Sequence, residues 1–338
     1  MRKIRVGILG ATGYTASESI RLLLSHPNVE IAIATSRQEA GQPIAQVHPQ
    51  FAGRLDLKVS QPEPGAIAAG CDVAFSCLPH GASAETVKAI VEAGCRVIDF
   101  SADFRLGTLD LYQQWYEPHH PWGEMLGKVP YGLPELFEKE IVGAPVVANP
   151  GCYPTSAILP LAPLIAAEAI FSEGIIVDSK SGVSGAGRTP KLGSLYCEAN
   201  ESIAAYGVGN HRHQPEIVDI VGRYTGCTLD CVFTPHLTPM DRGILSTIYV
   251  RSRGASVAEM MHVLRQQYQS APFVHVVDHL PATKFVAGTN HVQITARQAG
   301  DWVILLAVID NLVKGAAGAA IQNLNCMFGL DQRLGLGG

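Results

Sequence analysis

Ile4-Arg5-Val6-Gly7-Ile8-Leu9-Gly10-Ala11-Thr12-Gly13-Tyr14-Thr15-Ala16 is the stretch on which the fold turns. An apolar run over 4–9 stops at Gly10. Apolar residues then recur at helical spacing (Ile20, Leu22, Leu23, Leu24), and a β-branched run follows at 29–35. Strand, glycine turn, helix, strand is the opening of a dinucleotide-binding unit. Gly10 permits the tight turn, and Gly13 lets the backbone at the helix start approach a pyrophosphate. The pattern is not a full G-x-G-x-x-G, because Ala11 and Thr12 intervene and Ala16 takes the last position. Its place between strand and helix carries the reading. The second strand ends Thr35-Ser36-Arg37, where an acidic residue would hold a ribose 2′-hydroxyl. Ser36 and Arg37 suit a 2′-phosphate instead, so NADP is expected rather than NAD.

Working outward, strand-like runs at 73–78 and 96–100 flank an Ala/Val-rich helix near 84–92. This alternation predicts a parallel sheet with right-handed crossovers. The loops Pro79-His80-Gly81 and Ser101-Ala102-Asp103-Phe104-Arg105 fall at the carboxyl edge of that sheet, where ligands bind. Residues 115–136, rich in proline, read as a long irregular connection or lid, with His119 and His120 on its surface.

A second decisive stretch is Val146-Val147-Ala148-Asn149-Pro150-Gly151-Cys152-Tyr153-Pro154-Thr155. Pro154 and the apolar run after it place Cys152 in a tight turn between a strand and a helix start. Backbone N–H groups and the positive end of the helix dipole there favour a thiolate and, later, an oxyanion. The plainer alternative is a small residue packed under a turn. The helix is expected over 156–169 and a strand over 174–177. Asp178 to Arg188 then reads as a glycine- and hydroxyl-rich loop, suited to an anion or to the nicotinamide end of a cofactor, or else merely flexible. Gly209-Asn210-His211-Arg212-His213-Gln214-Pro215-Glu216 enters another amphipathic helix. A base with a substrate-carboxylate binder suits this better than a metal pair, because no carboxylate or thiolate cluster completes a metal site.

Strand-like runs at 231–235, 243–251, 273–277, 291–297 and 302–309, with one helix at 257–269 and short turns, argue a largely antiparallel sheet. An Ala/Gly/Leu helix over 310–328 is expected to be buried and to return to the first domain. The expected fold is α/β. It combines a Rossmann-type parallel-sheet domain (1–148, completed by 311–338) with an α+β catalytic and oligomerisation domain (149–310) built on a largely antiparallel sheet.

Composition agrees with this. The chain has 338 residues, 47% apolar and 16% charged, and a net charge of −5. Such a chain is globular rather than disordered, and without a basic tract it is no nucleic-acid binder. It has no apolar run of membrane-spanning length and no signal-peptide pattern, so a cytoplasmic protein is expected, with its eight cysteines reduced.

Together GATGYTA (10–16), TSR (35–37), SADFR (101–105), NPGCYPT (149–155), SGVSGAGR (181–188), GNHRHQPEI (209–217), GTNHV (288–292) and DNLVKGAAGAAIQ (310–322) resemble the N-acetyl-gamma-glutamyl-phosphate reductase family along essentially the whole chain. That family reduces an acyl phosphate of arginine biosynthesis with NADPH. Ala16 departs from the glycine that many relatives carry. The resemblance implies Cys152 as nucleophile, forming a thioester, and His211 and His213 as acid/base and substrate ligand, with His211 the favoured base. It implies Gly10, Thr12, Gly13, Ser36 and Arg37 on NADP, with Ser181, Gly182 and Asn311 near the nicotinamide. Arg105 and Arg188 are candidates for the substrate's phosphate or carboxylate. The expected partners are an acyl phosphate or semialdehyde and inorganic phosphate, with no nucleic acid, membrane or metal. A homodimer or homotetramer through the apolar later sheet is also expected. The alternatives are a reductase of aspartyl or aminoadipyl phosphate, a non-catalytic NADP-binding sensor and, more remotely, a metal-binding module on His211 and His213.

Overall fold

The computed structural model describes residues 2–337. The chain divides into two compact units. One comprises the residues up to Pro150 together with those from Ala316 onward, and the other is Gly151–Gly315.

The first unit is built on six short strands: β1 (Ile4–Leu9), β2 (Val29–Thr35), β3 (Val59–Ser60), β4 (Val73–Ser76), β5 (Arg96–Asp99) and β6 (Val146–Ala148). All neighbours are parallel, and the spatial order is β3-β2-β1-β4-β5-β6. This is the doubly wound order, with its switch point between β1 and β4. Strands covered on both faces read as continuous apolar runs, and β4 is buried at every residue. The helices are α1 (Tyr14–Leu23), the short α2 (Ile44–Val47), α3 (Pro64–Gly70), α4 (Ala84–Glu92), α5 (Leu109–Trp115) and α6 (Pro134–Ile141).

Residues 116–133 form the irregular connection expected, broken by a short 3₁₀ turn, and Leu126 within it packs with Leu106 and Tyr112 in a small core of their own. His120, expected at the surface, is buried against Phe104 and Tyr112, and its Nε2 lies 2.7 Å from the Asp103 carbonyl. The loop 101–105 is likewise turned inward. Asp103, fully buried, accepts the N–H groups of Gly81, Ser83 and Ala84 at 2.7–3.1 Å and so caps the entrance of α4.

The second unit carries α7 (Cys152–Ala166), β7 (Ile175–Gly182), the short α8 (Tyr196–Ala199), β8 (Ala204–Ala205), α9 (His213–Thr225), β9 (Cys231–Thr238), β10 (Ile244–Val250), α10 (Val257–Gln267), β11 (Val274–Val276), β12 (Val292–Ala299) and β13 (Trp302–Ile309). Its sheet runs β11-β12-β13-β10-β7-β9-β8. Four of the six pairings are antiparallel, while β7–β9 and β11–β12 are parallel, so the sheet is mixed. Strict alternation along β10 buries Ile244, Ser246, Ile248 and Val250 beneath the helices. The opposite face is open, with Ile176 and Val232 exposed. It holds a depression of about 540 Å³ lined by Ile176, Asp178, Thr234, His236, Tyr249 and Trp302.

Two further expectations are corrected here. The helix after the cysteine begins four residues earlier than expected, at Cys152, and ends at Ala166. Strand β7 continues through Gly182, so Asp178 to Gly182 are strand and not loop, and Lys180 is ion-paired with Asp178 at 2.7 Å. The chain closes with a π turn (Val313–Ala317) and α11 (Gly318–Met327), which packs against α1 and α6 and is buried at every residue. Among the described residues no helix is long and apolar enough to cross a membrane.

Candidate active site

Cys152 is the first residue of the 15-residue α7, directly after the N-cap Gly151. Pro154 fits there because the first N–H groups of a helix have no partner within it. The Gly151 N–H donates to the Glu216 carboxylate at 2.8 Å, so a fully buried acid on α9 holds the turn from behind. The Tyr153 N–H, one position into the helix, donates to no group among the described residues. The Cys152 side chain is partly exposed. Burial instead pushes the thiols of Cys77, Cys95 and Cys231 up to about 12 and that of Cys71 to about 11, which leaves them inert. Gly315 lies against the nucleophile: a Cβ there would sit 2.7 Å from the Cys152 Cβ.

Around Cys152 the unit gathers an aromatic cluster. The His211 ring meets Tyr153 (5.8 Å between centroids), Tyr206 (5.4 Å), Phe233 (5.3 Å) and His213 (4.8 Å), each at a steep angle. Tyr153 also faces His213 at 5.8 Å. The His213 N–H donates to His211 Nδ1 at 3.1 Å, so the neutral His211 ring carries its proton on Nε2. Burial, reinforced by Arg212, lowers the His211 pKa to about 4, which keeps the ring neutral at physiological pH. The hydroxyls of Tyr153 and Tyr206 are both pushed up, chiefly by burial, with the Cys152 charge adding to each. Tyr153, which follows Cys152 directly, thus joins both imidazoles to the head of α7, and a neutral imidazole with a thiol at a helix start is a combination suited to acyl transfer.

Ser181 and Asn311 lie in the same unit. The Asn311 amide is engaged on both sides, accepting from the Gly243 N–H (2.7 Å) and donating to Ser184 Oγ (3.0 Å). A Cβ at Gly182 would meet the Asp241 carbonyl oxygen at 2.5 Å, so close backbone approach accounts for that glycine. Arg188 is exposed, just past Gly187.

In the first unit, Gly10 has φ +68°, and a Cβ there would strike the Cys77 carbonyl oxygen at 2.8 Å. Thr12 lies in the turn between Gly10 and α1. Gly13 is the N-cap of α1, and an added Cβ there would find only Thr15 Oγ1 at 3.9 Å, so the helix start is open. The first turn of α1 holds no acidic residue. At the end of β2, Thr35 Oγ1 is buried and without a partner among the described residues. Ser36 Oγ accepts the N–H groups of Gln38 and Glu39 at 3.3 Å each, leaving its proton to donate. Arg37 is exposed, without an ion-pair partner among the described residues. An open helix start, an unpartnered hydroxyl and an uncommitted guanidinium fit the phosphates and ribose of a dinucleotide. Arg105 is different. It is 5% exposed and donates to the carbonyls of Asn149 (2.8 Å) and Phe100 (2.7 Å), which ties it to the 149–150 turn. Among the described residues no group of three or more His, Cys, Asp or Glu could hold a metal ion.

Tyr153, Tyr206, Phe233, Glu216 and Gly315 were not singled out by sequence reasoning. Tyr153 and Glu216 stand inside quoted motifs, so a signal existed for them. Gly315 and Phe233 are recognisable only once the chain is folded.

Residues 5–144 match the model of the semialdehyde dehydrogenase NAD-binding domain, and residues 152–311 that of the semialdehyde dehydrogenase dimerisation domain. The chain is 60% identical to the N-acetyl-gamma-glutamyl-phosphate reductase of Rhodopirellula baltica, over 98% of each chain. It is 48% identical to that of Citrifermentans bemidjiense, again over 98% of each. Among solved structures, aspartate semialdehyde dehydrogenase II of Vibrio cholerae superposes with a TM-score of 0.72 at 19% identity, covering 96% of this chain and 98% of that one. The Candida albicans aspartate semialdehyde dehydrogenase with NADP gives 0.71 at 20% identity and the same coverage. At such identities these structures attest to the fold alone.

Proposed function

Because the chain belongs to the N-acetyl-gamma-glutamyl-phosphate reductase family of semialdehyde dehydrogenases, we propose that it reduces N-acetyl-gamma-glutamyl phosphate to the 5-semialdehyde with NADPH, through a thioester on Cys152. The observation that carries this reading is the part-exposed Cys152 at the head of α7, next in sequence to Tyr153, whose ring meets His211 and His213.

The Cys152 thiolate forms a bond to the acyl carbon while the bond from that carbon to the phosphate oxygen breaks, and inorganic phosphate leaves with the electron pair. Sulfur donates poorly into the carbonyl, so the thioester carbon stays electrophilic; an oxygen ester would be a worse acceptor. When bound, the nicotinamide cofactor supplies the hydride. The tetrahedral oxygen on the Cys152-bound carbon is then stabilised by the Tyr153 N–H, by the dipole of α7 and by an imidazole N–H. Cleavage of the carbon–sulfur bond releases the aldehyde and restores the thiolate. Gly10, Thr12, Gly13, Ser36 and Arg37 would hold the nucleotide, with Arg37 on a 2′-phosphate, and Ser181, Gly182 and Asn311 would stand near the nicotinamide. Arg105 and Arg188 are the candidates for the substrate's phosphate or carboxylate. We place the enzyme in the cytoplasm, as a homo-oligomer that covers the open sheet face around Ile176 and Val232.

The test is a phosphate-dependent assay of NADP reduction with N-acetylglutamate semialdehyde, aspartate semialdehyde and the aminoadipate analogue. The expected result is turnover of the first with NADP preferred over NAD, and loss of nearly all turnover in Cys152→Ser with NADP binding retained. Preference for NAD would contradict the role of Arg37, and more than a few per cent residual activity in that variant would remove Cys152 as nucleophile.

A further inference from the structure

Tyr153 follows the nucleophile in sequence and touches every other member of the cluster. Its ring meets His211 at 5.8 Å and 90°, His213 at 5.8 Å and 68°, and Phe233 at 5.3 Å and 66°. It is 2% exposed, so its hydroxyl must find partners inside the protein. A carbonyl oxygen can only accept. The Tyr153 proton therefore goes to the His236 carbonyl (3.2 Å), leaving the Tyr153 oxygen to accept from the Tyr206 hydroxyl (3.0 Å). Tyr206 in turn covers another side of the His211 ring. His236 belongs to β9, and its own side chain, 3.1 Å from the Asp178 carboxylate, lines the depression on the open sheet face.

We infer that Tyr153 is a positioning residue: its ring and hydroxyl together fix both imidazoles relative to the head of α7, and its hydroxyl ties them to the strand that forms the open face. A packing residue needs only the ring. Here the hydroxyl is the joint of the chain Tyr206 Oη–H to Tyr153 Oη–H to His236 carbonyl, and such a part-buried hydrogen-bonded chain holds its members in one arrangement. The titratable or charged groups against His211 are Tyr153 from α7, Tyr206 from the preceding segment, and Arg212 and His213 at the start of α9; from β9 the Phe233 ring packs on it.

The kinetic half of this inference rests on the proposed reductase activity; the spectroscopic half does not. The experiment compares Tyr153→Phe with Tyr268→Phe in the full chain. Tyr268 is an equally buried tyrosine whose hydroxyl donates to the Leu159 carbonyl of the same helix, away from the histidines. Tyr153→Phe is expected to lower kcat about tenfold, the equivalent of one hydrogen bond of about 1.4 kcal/mol, with KM unchanged within about twofold. NMR titration of histidine-labelled protein should show the His211 pKa rising toward that of an ordinary histidine. Tyr268→Phe should leave both readouts at wild-type values. Unmoved kcat and titrations in Tyr153→Phe would overturn the inference, as would equal changes in Tyr268→Phe. If Tyr153→Phe does not fold, Tyr206→Phe must move His211 in the same direction, and an unmoved titration there overturns it as well. Should the wild type reduce none of the three substrates, the proposed activity falls, while the titrations still decide the role of Tyr153.

Discussion

At the scale of single residues, the reactive end of the second unit is crowded by design rather than open. Gly315 shows this most plainly. A methyl group there would overlap the Cβ of Cys152 at 2.7 Å and approach its Cα at 3.2 Å, and neither atom sits at the end of a flexible chain. Gly315→Ala is therefore expected to push the sulfur aside. A displacement of about 1 Å costs a reaction on the order of a hundredfold. Steady-state kinetics should show the fall in kcat, with the circular-dichroism spectrum unchanged; wild-type turnover would mean that the helix head has room to spare. Nothing in DNLVKGAAGAAIQ announces this role, since a glycine among alanines reads as helix packing. Cys152 was legible because proline and the strand-to-helix transition are local signals. Tyr153 was less so, because its neighbours are supplied by β9, α9 and the segment before it. Arg105 shows the complementary case: a guanidinium in a loop at the sheet edge reads as a ligand from sequence, and folding adds that its Nε and one terminal nitrogen donate to the Asn149 and Phe100 carbonyls.

At the scale of elements, helix ends decided what could be read. The start of α7 was expected near Ser156, yet the helix opens at Cys152 because Pro154 lacks a donor that the first turn does not need. Its other end closes on Glu168, a non-glycine residue at φ +54°. The Glu168 N–H donates to the Ile165 carbonyl and the Ala169 N–H to the Leu164 carbonyl, the two bonds of a Schellman ending. Glycine is the residue such a position favours. Glu168→Gly should raise the unfolding free energy by about 1 kcal/mol, read as a higher urea midpoint. Destabilisation would mean that its 3.9 Å contact with Arg253 outweighs the strain. Strand β7 was half missed because Ser179 and Ser181 look like loop residues. In the fold Ser179, Ser246 and Ser156 form a buried hydroxyl ladder at 2.6–2.7 Å, so burial there is polar and satisfied. Composition cannot separate such a strand from a turn.

At the scale of the molecule, the doubly wound sheet and its partner sheet were legible because periodicity and glycine turns are written along the chain, whereas the parallel pairings β7–β9 and β11–β12 depend on contacts distant in sequence. Whole-molecule stability should also carry the mark of buried histidines. Burial lowers the pKa values of His26, His120, His211 and His291 from an ordinary 6.5. The unfolded chain thus binds more protons as pH falls below that value, and stability is lost in the same direction. Asp99 runs the other way. Burial raises it to about 6, so it takes up its proton earlier in the folded state and offsets part of the acid loss. Tm is expected to fall between pH 6.5 and 5, and to fall more steeply in Asp99→Asn; a Tm that rises on acidification would contradict this balance. The account as a whole depends on acyl transfer to one sulfur, and the most direct measurement is intact-protein and peptide mass spectrometry after mixing enzyme with N-acetyl-gamma-glutamyl phosphate in the absence of NADPH. It predicts an N-acetylglutamyl adduct on the peptide carrying Cys152, one phosphate released per adduct, and removal of the adduct when NADPH is added. An unmodified Cys152 peptide alongside full turnover in the complete assay would contradict it.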